Sequence, residues 1–300
     1  SEVELGYAKK ALLDYESCKD VVEKFEGKFA DHLNVKYAAA CNSGTSGLHA
    51  ALYAAGITAG DEVIIPGLTV IMDAFAVMYL GAKPIFADVD IDTHLIDVED
   101  IERKINANTK AILTVSWEGL ICDMDAINEL AKRRGLTVID DSARTIDGFY
   151  KGKVAGQLAD ITVFSFESKK HLTTGGEGGM VVTNNEELAT KARKFIGIGY
   201  KHLSARAGAT DLALPHVQDP NYLRFDTIGP NYRLNQISAA VGIGQLERID
   251  EIINKRKAIG KIFLEGTENI VDWFIPQKTP DDCIHAFYTF SSRYTLNEIG

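Results

Sequence analysis

The chain has 300 residues, 46% of them hydrophobic and 25% charged. That balance is ordinary for a globular protein, and the length allows one large core or a large domain with part of a second. A formal net charge of -10, with an isoelectric point near 5.2, argues against general affinity for nucleic acid or anionic membranes, because like charges repel at long range.

Four cysteines, Cys18, Cys41, Cys122 and Cys283, form no C-x-x-C pair. This argues against a disulfide framework or a structural zinc site and for a reducing cytosol. The N-terminal SEVELGYAKK carries no apolar signal region. No stretch reaches the roughly 20 apolar residues of a membrane span. The run over 69–80 carries Asp73 and is bounded by Pro66 and Gly81.

In chain order, 37–41 reads as a strand and 48–55 as a helix. Residues 63–65 are short, β-branched and stopped by Pro66 and Gly67, as in a buried strand. Residues 84–90 and 111–115 read the same way. Met124, Ile127, Leu130 and Ala131 share one face of a helix that Asp123 can cap. Strands follow at 136–139, 161–166 and 180–183. Leu188, Ala192, Phe195 and Ile196 then define a helix behind Asn185. Strand and helix in alternation imply an α/β fold, a mostly parallel sheet with helices on both faces. Residues 201–231, with Pro215, Pro220 and Pro230, read as a long surface excursion. One helix is expected over 234–262, with Leu246, Ile249 and Ile253 on one side. Pro276 and Pro280 mark a break, and a last strand-like run covers 285–294. The expected organisation is a large domain over 1–262 and, from 263 to 300, the start of a small C-terminal domain that is largely absent.

Three segments carry chemistry. Asn42-Ser43-Gly44-Thr45-Ser46-Gly47 leads from a strand into a helix, where backbone N–H groups and the positive dipole end suit a phosphate. Taken alone, it reads better as an ordinary cap, and it is neither G-x-G-x-x-G nor a P-loop. Asp140-Asp141-Ser142-Ala143 stands at the carboxyl end of a strand, where open α/β sheets bind ligands. Two acids there can hold a metal, pair with a cationic ring or cap a turn. The third segment is Phe164-Ser165-Phe166-Glu167-Ser168-Lys169-Lys170, followed by the turn Gly175-Gly176-Glu177-Gly178-Gly179. A lysine held beyond a strand end in a concave site is partly desolvated, which makes it a nucleophile toward an aldehyde.

Together these segments resemble the nucleotide-sugar aminotransferases (DegT/StrS type) of the fold-type I pyridoxal-phosphate (PLP) enzymes. The resemblance runs through NSGTSGL, GDEVIIP, GAKPIFADVD, DMDAI, LTVIDDSA, the F-S-F-x-x-x-K segment, GGEGGMVVTN and NYRLNQISAA-x-x-x-x-QL, in that order. It implies that Lys170 carries the cofactor, with Lys169 as second choice, and that Asp141 pairs with the cofactor's ring nitrogen. It implies a phosphate turn of Gly44, Thr45 and Ser46, with Ser165 beside it. Asn231 would reach the phosphate of a partner subunit, which requires a homodimer with a shared active site. The implied substrates are an amino-acid donor, glutamate foremost, and a nucleotide-linked keto-sugar. No metal is implied.

The chain departs from the family at several points. Val70 stands where an aromatic ring is common, and Arg144 stands where many relatives have glutamine, beside the cofactor's 3'-oxygen. Trp117, in Ser116-Trp117-Glu118-Gly119, either lines a sugar pocket or belongs to the core. Competing readings are a sugar dehydratase of the same family, with histidine in the lysine's role and His171 next in sequence, and a cyclitol aminotransferase. A non-catalytic relative, or a metal-dependent hydrolase built on Asp140 and Asp141, would also carry an acidic pair at a strand end.

Overall fold

The computed structural model describes residues 1–14, 16–206, 214–267 and 273–295. The strands are β1 (Tyr37–Cys41), β2 (Glu62–Pro66), β3 (Lys83–Ala87), β4 (Thr109–Val115), β5 (Thr137–Asp141), the short β6 (Phe149–Tyr150) and β7 (Lys153–Val154), β8 (Ile161–Ser165) and β9 (Gly179–Thr183). Seven of them form one sheet in the order β1-β9-β8-β5-β4-β2-β3. Pairings along β3-β2-β4-β5-β8 are parallel, while β9 runs antiparallel to both β8 and β1. The sheet is therefore parallel except for one strand, as the alternating strand–helix pattern predicts.

Strand alternation builds two cores. Ile64, Ile112, Val138, Phe164 and Val182 face one side. Their neighbours Val63, Ile65, Leu113, Ile139, Val163 and Val181 face the other. Buried on both faces, these strands read as continuous apolar runs. On the first side pack α1 (Glu2–Leu13) and α2 (Val21–Leu33). On the second pack α3 (Gly44–Ala54) and α4 (Ile71–Tyr79). Next in the chain are α5 (Val98–Lys104), α6 (Met124–Arg134) and α7 (Glu186–Ile196). Asp123 and Asn185 cap α6 and α7 with their side chains, at the positions anticipated from sequence. A buried ion pair ties α7 to α2: the Arg193 guanidinium donates to both carboxylate oxygens of Glu26 at 3.0 Å and to the Ala38 carbonyl at 2.6 Å.

The C-terminal third departs from the sequence reading. After the short α8 (Leu214–Gln218), the single helix expected over 234–262 is two, α9 (Gln236–Leu246) and α10 (Ile249–Thr267). Its apolar residues lie on both pieces, so periodicity alone does not show the break. The strand expected over 285–294 is confined to β12 (Ser292–Tyr294), which pairs with β10 (Phe274–Pro276). β11 (Cys283–Ile284) joins β6 instead. Between them Phe287 takes a left-handed backbone, φ 51°, which no strand tolerates. Part of the excursion over 201–231, residues 207–213, lies outside the described residues. Among the described residues, no helix is long and apolar enough to cross a membrane.

Candidate active site

The carboxyl ends of β4, β5 and β8 meet the start of α3, the place where parallel sheets bind ligands. Asp140 and Asp141 are neighbours in sequence but face opposite ways, because alternation along β5 separates their side chains. Asp140 accepts hydrogen bonds from Thr114 Oγ1 at 2.8 Å, Ser116 Oγ at 3.2 Å and the Ser142 hydroxyl. Burial pushes its carboxyl up to about 6, against those three donors. Asp141, also buried, accepts from the Ala143 N–H at 2.8 Å. Burial raises its pKa, while the charges of Lys170 and Arg144 oppose the rise. Among the described residues, no group of three or more histidine, cysteine or acidic side chains is arranged for a metal.

Lys170 is half-buried and Lys169 exposed. The Lys170 ammonium lies 4.8 Å from the centroid of the Tyr288 ring. Burial lowers its pKa, and the Asp141 carboxylate opposes that fall. The two groups that the sequence singles out thus sit within electrostatic reach of each other. His171 is bound to the backbone. Its Nε2 is 3.1 Å from the Ala286 carbonyl, and burial pushes its pKa down to about 4, so it is neutral and structural.

At the start of α3, Ser43 is the N-cap and its Oγ accepts from the Ser46 N–H. Ser46 also turns its hydroxyl to Asn42 Oδ1 and so serves the turn itself. The N–H groups of Gly44 and Thr45 have no carbonyl one turn back to bond, and they remain for an anion. Gly44 has to be glycine: a Cβ there would lie 2.8 Å from Ser165 Cβ. This close approach puts the Ser165 hydroxyl against the helix start.

Arg144 lies 4.2 Å from the centroid of the Trp117 ring and 5.2 Å from that of Tyr288, and it pairs with Glu118. Glu118 adopts φ 56° and also accepts from the Thr289 hydroxyl. Trp117 and Glu118 line a cavity of about 500 Å³ together with Leu68, His94 and residues 289–293. Val70 is the residue before α4 and brings no ring to the site. Asn231 is exposed, and its Oδ1 accepts from Arg233 Nε at 3.0 Å.

Sequence reasoning missed Tyr288, Glu118 and Asp73. Asp73, in the first turn of α4, is fully buried, and its carboxyl is within hydrogen-bonding reach of Asp141. An acid inside an apolar run was the one available signal.

A lysine and an aspartate at the mouth of a mostly parallel sheet, beside a helix start shaped for an anion, define the class: an α/β enzyme of PLP fold-type I. The donor set fits that cofactor, with a carboxylate for a ring nitrogen, N–H and hydroxyl donors for a phosphate, and an amine for an aldehyde. The chain belongs to the DegT/DnrJ/EryC1/StrS aminotransferase family, whose pattern matches residues 14–297. GDP-perosamine synthase of Escherichia coli O157:H7 is 43% identical over 90% of this chain and 68% of its own length. The Caulobacter vibrioides protein of the same name is 44% identical over 84% of this chain and 60% of its own. The chain thus spans 60% to 68% of the length of these relatives. Among solved structures, an aminotransferase from Psychrobacter cryohalolentis superposes with a TM-score of 0.85 at 32% identity, over 96% of this chain and 74% of that one. NtdA from Bacillus subtilis, with bound cofactor PMP, gives 0.83 at 26% identity, over 99% of this chain and 65% of that one.

Proposed function

We propose that the protein transfers an amino group, from glutamate, to a nucleotide-linked keto-sugar, with Lys170 as the lysine that carries PLP. The observation that carries this reading is Lys170 within electrostatic reach of Asp141 at the sheet's carboxyl edge. When bound, PLP supplies an electron sink for the bonds at the carbon bearing the amine. Asp141 holds a negative charge at the ring nitrogen and keeps that nitrogen protonated. Gly44, Thr45 and Ser165 hold the phosphate, with Ser46 fixing the turn beneath them. Lys170 Nζ, less basic than a solvated lysine because it is buried, moves the proton at the donor carbon. Arg144, neutralised by Glu118, is assigned beside the cofactor's 3'-oxygen.

The sugar is assigned to the cavity by Trp117. The names of the two curated relatives make a GDP-linked amino sugar the first compound to try. A homodimer is part of the proposal, with Asn231 reaching the partner's phosphate. Its exposure, and that of Ile228 (94% exposed) and Leu223, supports a covered surface there. We also assign 1–262 to a large PLP-binding domain and 263–300 to a small C-terminal one. The free cysteines, three of them buried, support a cytosolic setting.

The neutral, carbonyl-bound His171 disfavours a dehydratase, which needs histidine in the lysine's role. The test is the reverse reaction. GDP-perosamine and 2-oxoglutarate are expected to yield glutamate with native protein and none with Lys170→Ala. Glutamate formed equally by both proteins would contradict the assignment.

A further inference from the structure

Asp73 lies in the first turn of α4 with no exposed surface. One of its oxygens, Oδ2, accepts from the Thr69 hydroxyl, while Oδ1 is buried without any donor. An unmatched buried carboxylate oxygen is costly and calls for an explanation. The neighbour within hydrogen-bonding reach is the carboxyl of Asp141. Two carboxyl groups in contact away from water cannot both ionise, so one proton belongs to the pair.

The surroundings decide where that proton sits. Asp141 receives the Ala143 N–H and faces the charges of Lys170 and Arg144. Asp73 has only the Thr69 hydroxyl and the charge of Arg144. Its place near the start of α4 favours the anion only modestly, too little to offset burial. Burial and the Asp141 charge together hold the Asp73 carboxyl well above the usual carboxylate range.

We propose that Asp73 is a positioning residue: it stays a neutral acid at neutral pH and donates its O–H to Asp141, fixing that carboxylate for the cofactor's ring nitrogen. The inference rests on the assignment of Asp141 above and adds a proton-bearing group behind it. The shared proton removes the second buried charge. It also gives the Asp73 carboxyl a partner besides Thr69.

The test compares Asp73→Asn, which keeps a donor toward Asp141, with Asp73→Ala, which removes it. In cofactor-free protein at neutral pH, the infrared difference between native and Asp73→Asn is expected to show loss of one protonated carboxylic-acid band. In PLP titrations, Asp73→Asn is expected within about threefold of native affinity and Asp73→Ala about tenfold weaker. Thermal melts establish that both variants fold; should Asp73→Ala not fold, the infrared band and Asp73→Asn still decide. Absence of the band would overturn the proposal. So would equal weakening in both folded variants, or native affinity in Asp73→Ala. Native protein that takes up no PLP would instead overturn the assignment of Asp141, and the proposal with it.

Discussion

Lys170 and Lys169 share a loop but not an environment. Lys169 is exposed, whereas Lys170 is half-buried, with the Tyr288 ring at 4.8 Å and Asp141 in electrostatic reach. Its basicity is set by opposed neighbours. Burial and Arg144 lower it, while Asp141, Glu167 and Glu118 raise it. Two substitutions should therefore move the pH midpoint of PLP capture in opposite directions. Glu118→Gln removes a stabilising negative charge and should shift the midpoint down. Arg144→Gln removes a positive charge and should shift it up. Each shift is expected to be about half a unit to one unit, read from absorbance against pH. Shifts of the same sign would mean that the Arg144–Glu118 pair does not act on Lys170 electrostatically.

At the scale of elements, the phosphate turn depends on how closely α3 presses on β8. Cβ atoms at Gly44 and Gly47 would lie 2.8 Å from Ser165 Cβ and 2.7 Å from Val163 Cγ1. Gly44→Ala should push the helix start off the strand by a few tenths of an ångström and weaken PLP binding about tenfold, read by titration. Unchanged affinity would show that the close approach is packing alone. The Arg193–Glu26 pair joins α7, α2 and β1 deep in the molecule, and Glu26 also accepts the Ala40 N–H at 2.8 Å. Arg193→Ala leaves that carboxylate buried without its counter-charge. The expected loss is about 3–5 kcal/mol in denaturant unfolding.

Across the whole molecule, two buried histidines make stability depend on pH. His171 and His285 are held down at about 4 and about 3 by burial, against roughly 6.5 in an unfolded chain. Below about 6.5 the unfolded chain binds protons that the folded one refuses. Stability is therefore complete above that value and falls as the pH drops toward 4. Between pH 7 and pH 5, His171 alone should account for roughly 2 kcal/mol. A melting-temperature profile that is flattened in His171→Gln would verify it; an unchanged slope would contradict it.

β-branched runs bounded by Pro and Gly mark the central strands, because both faces of the sheet are buried. The placement of Asp141 and Lys170 is legible because the first ends a strand and the second follows one by five residues. The Asp73–Asp141 contact, the Tyr288 ring over Lys170 and the inward turn of Ser46 are tertiary facts with no local pattern. The division of α9 from α10 at Glu247 and Arg248 is hidden by apolar residues that keep helical spacing across it.

Everything proposed for the site depends on Lys170 carrying PLP. The most direct measurement is borohydride reduction of the protein with PLP, followed by peptide mass analysis. A visible band lost on reduction and an adduct on Lys170, absent in Lys170→Ala, are expected. An adduct on Lys169, or none while PLP is bound, would contradict that assignment.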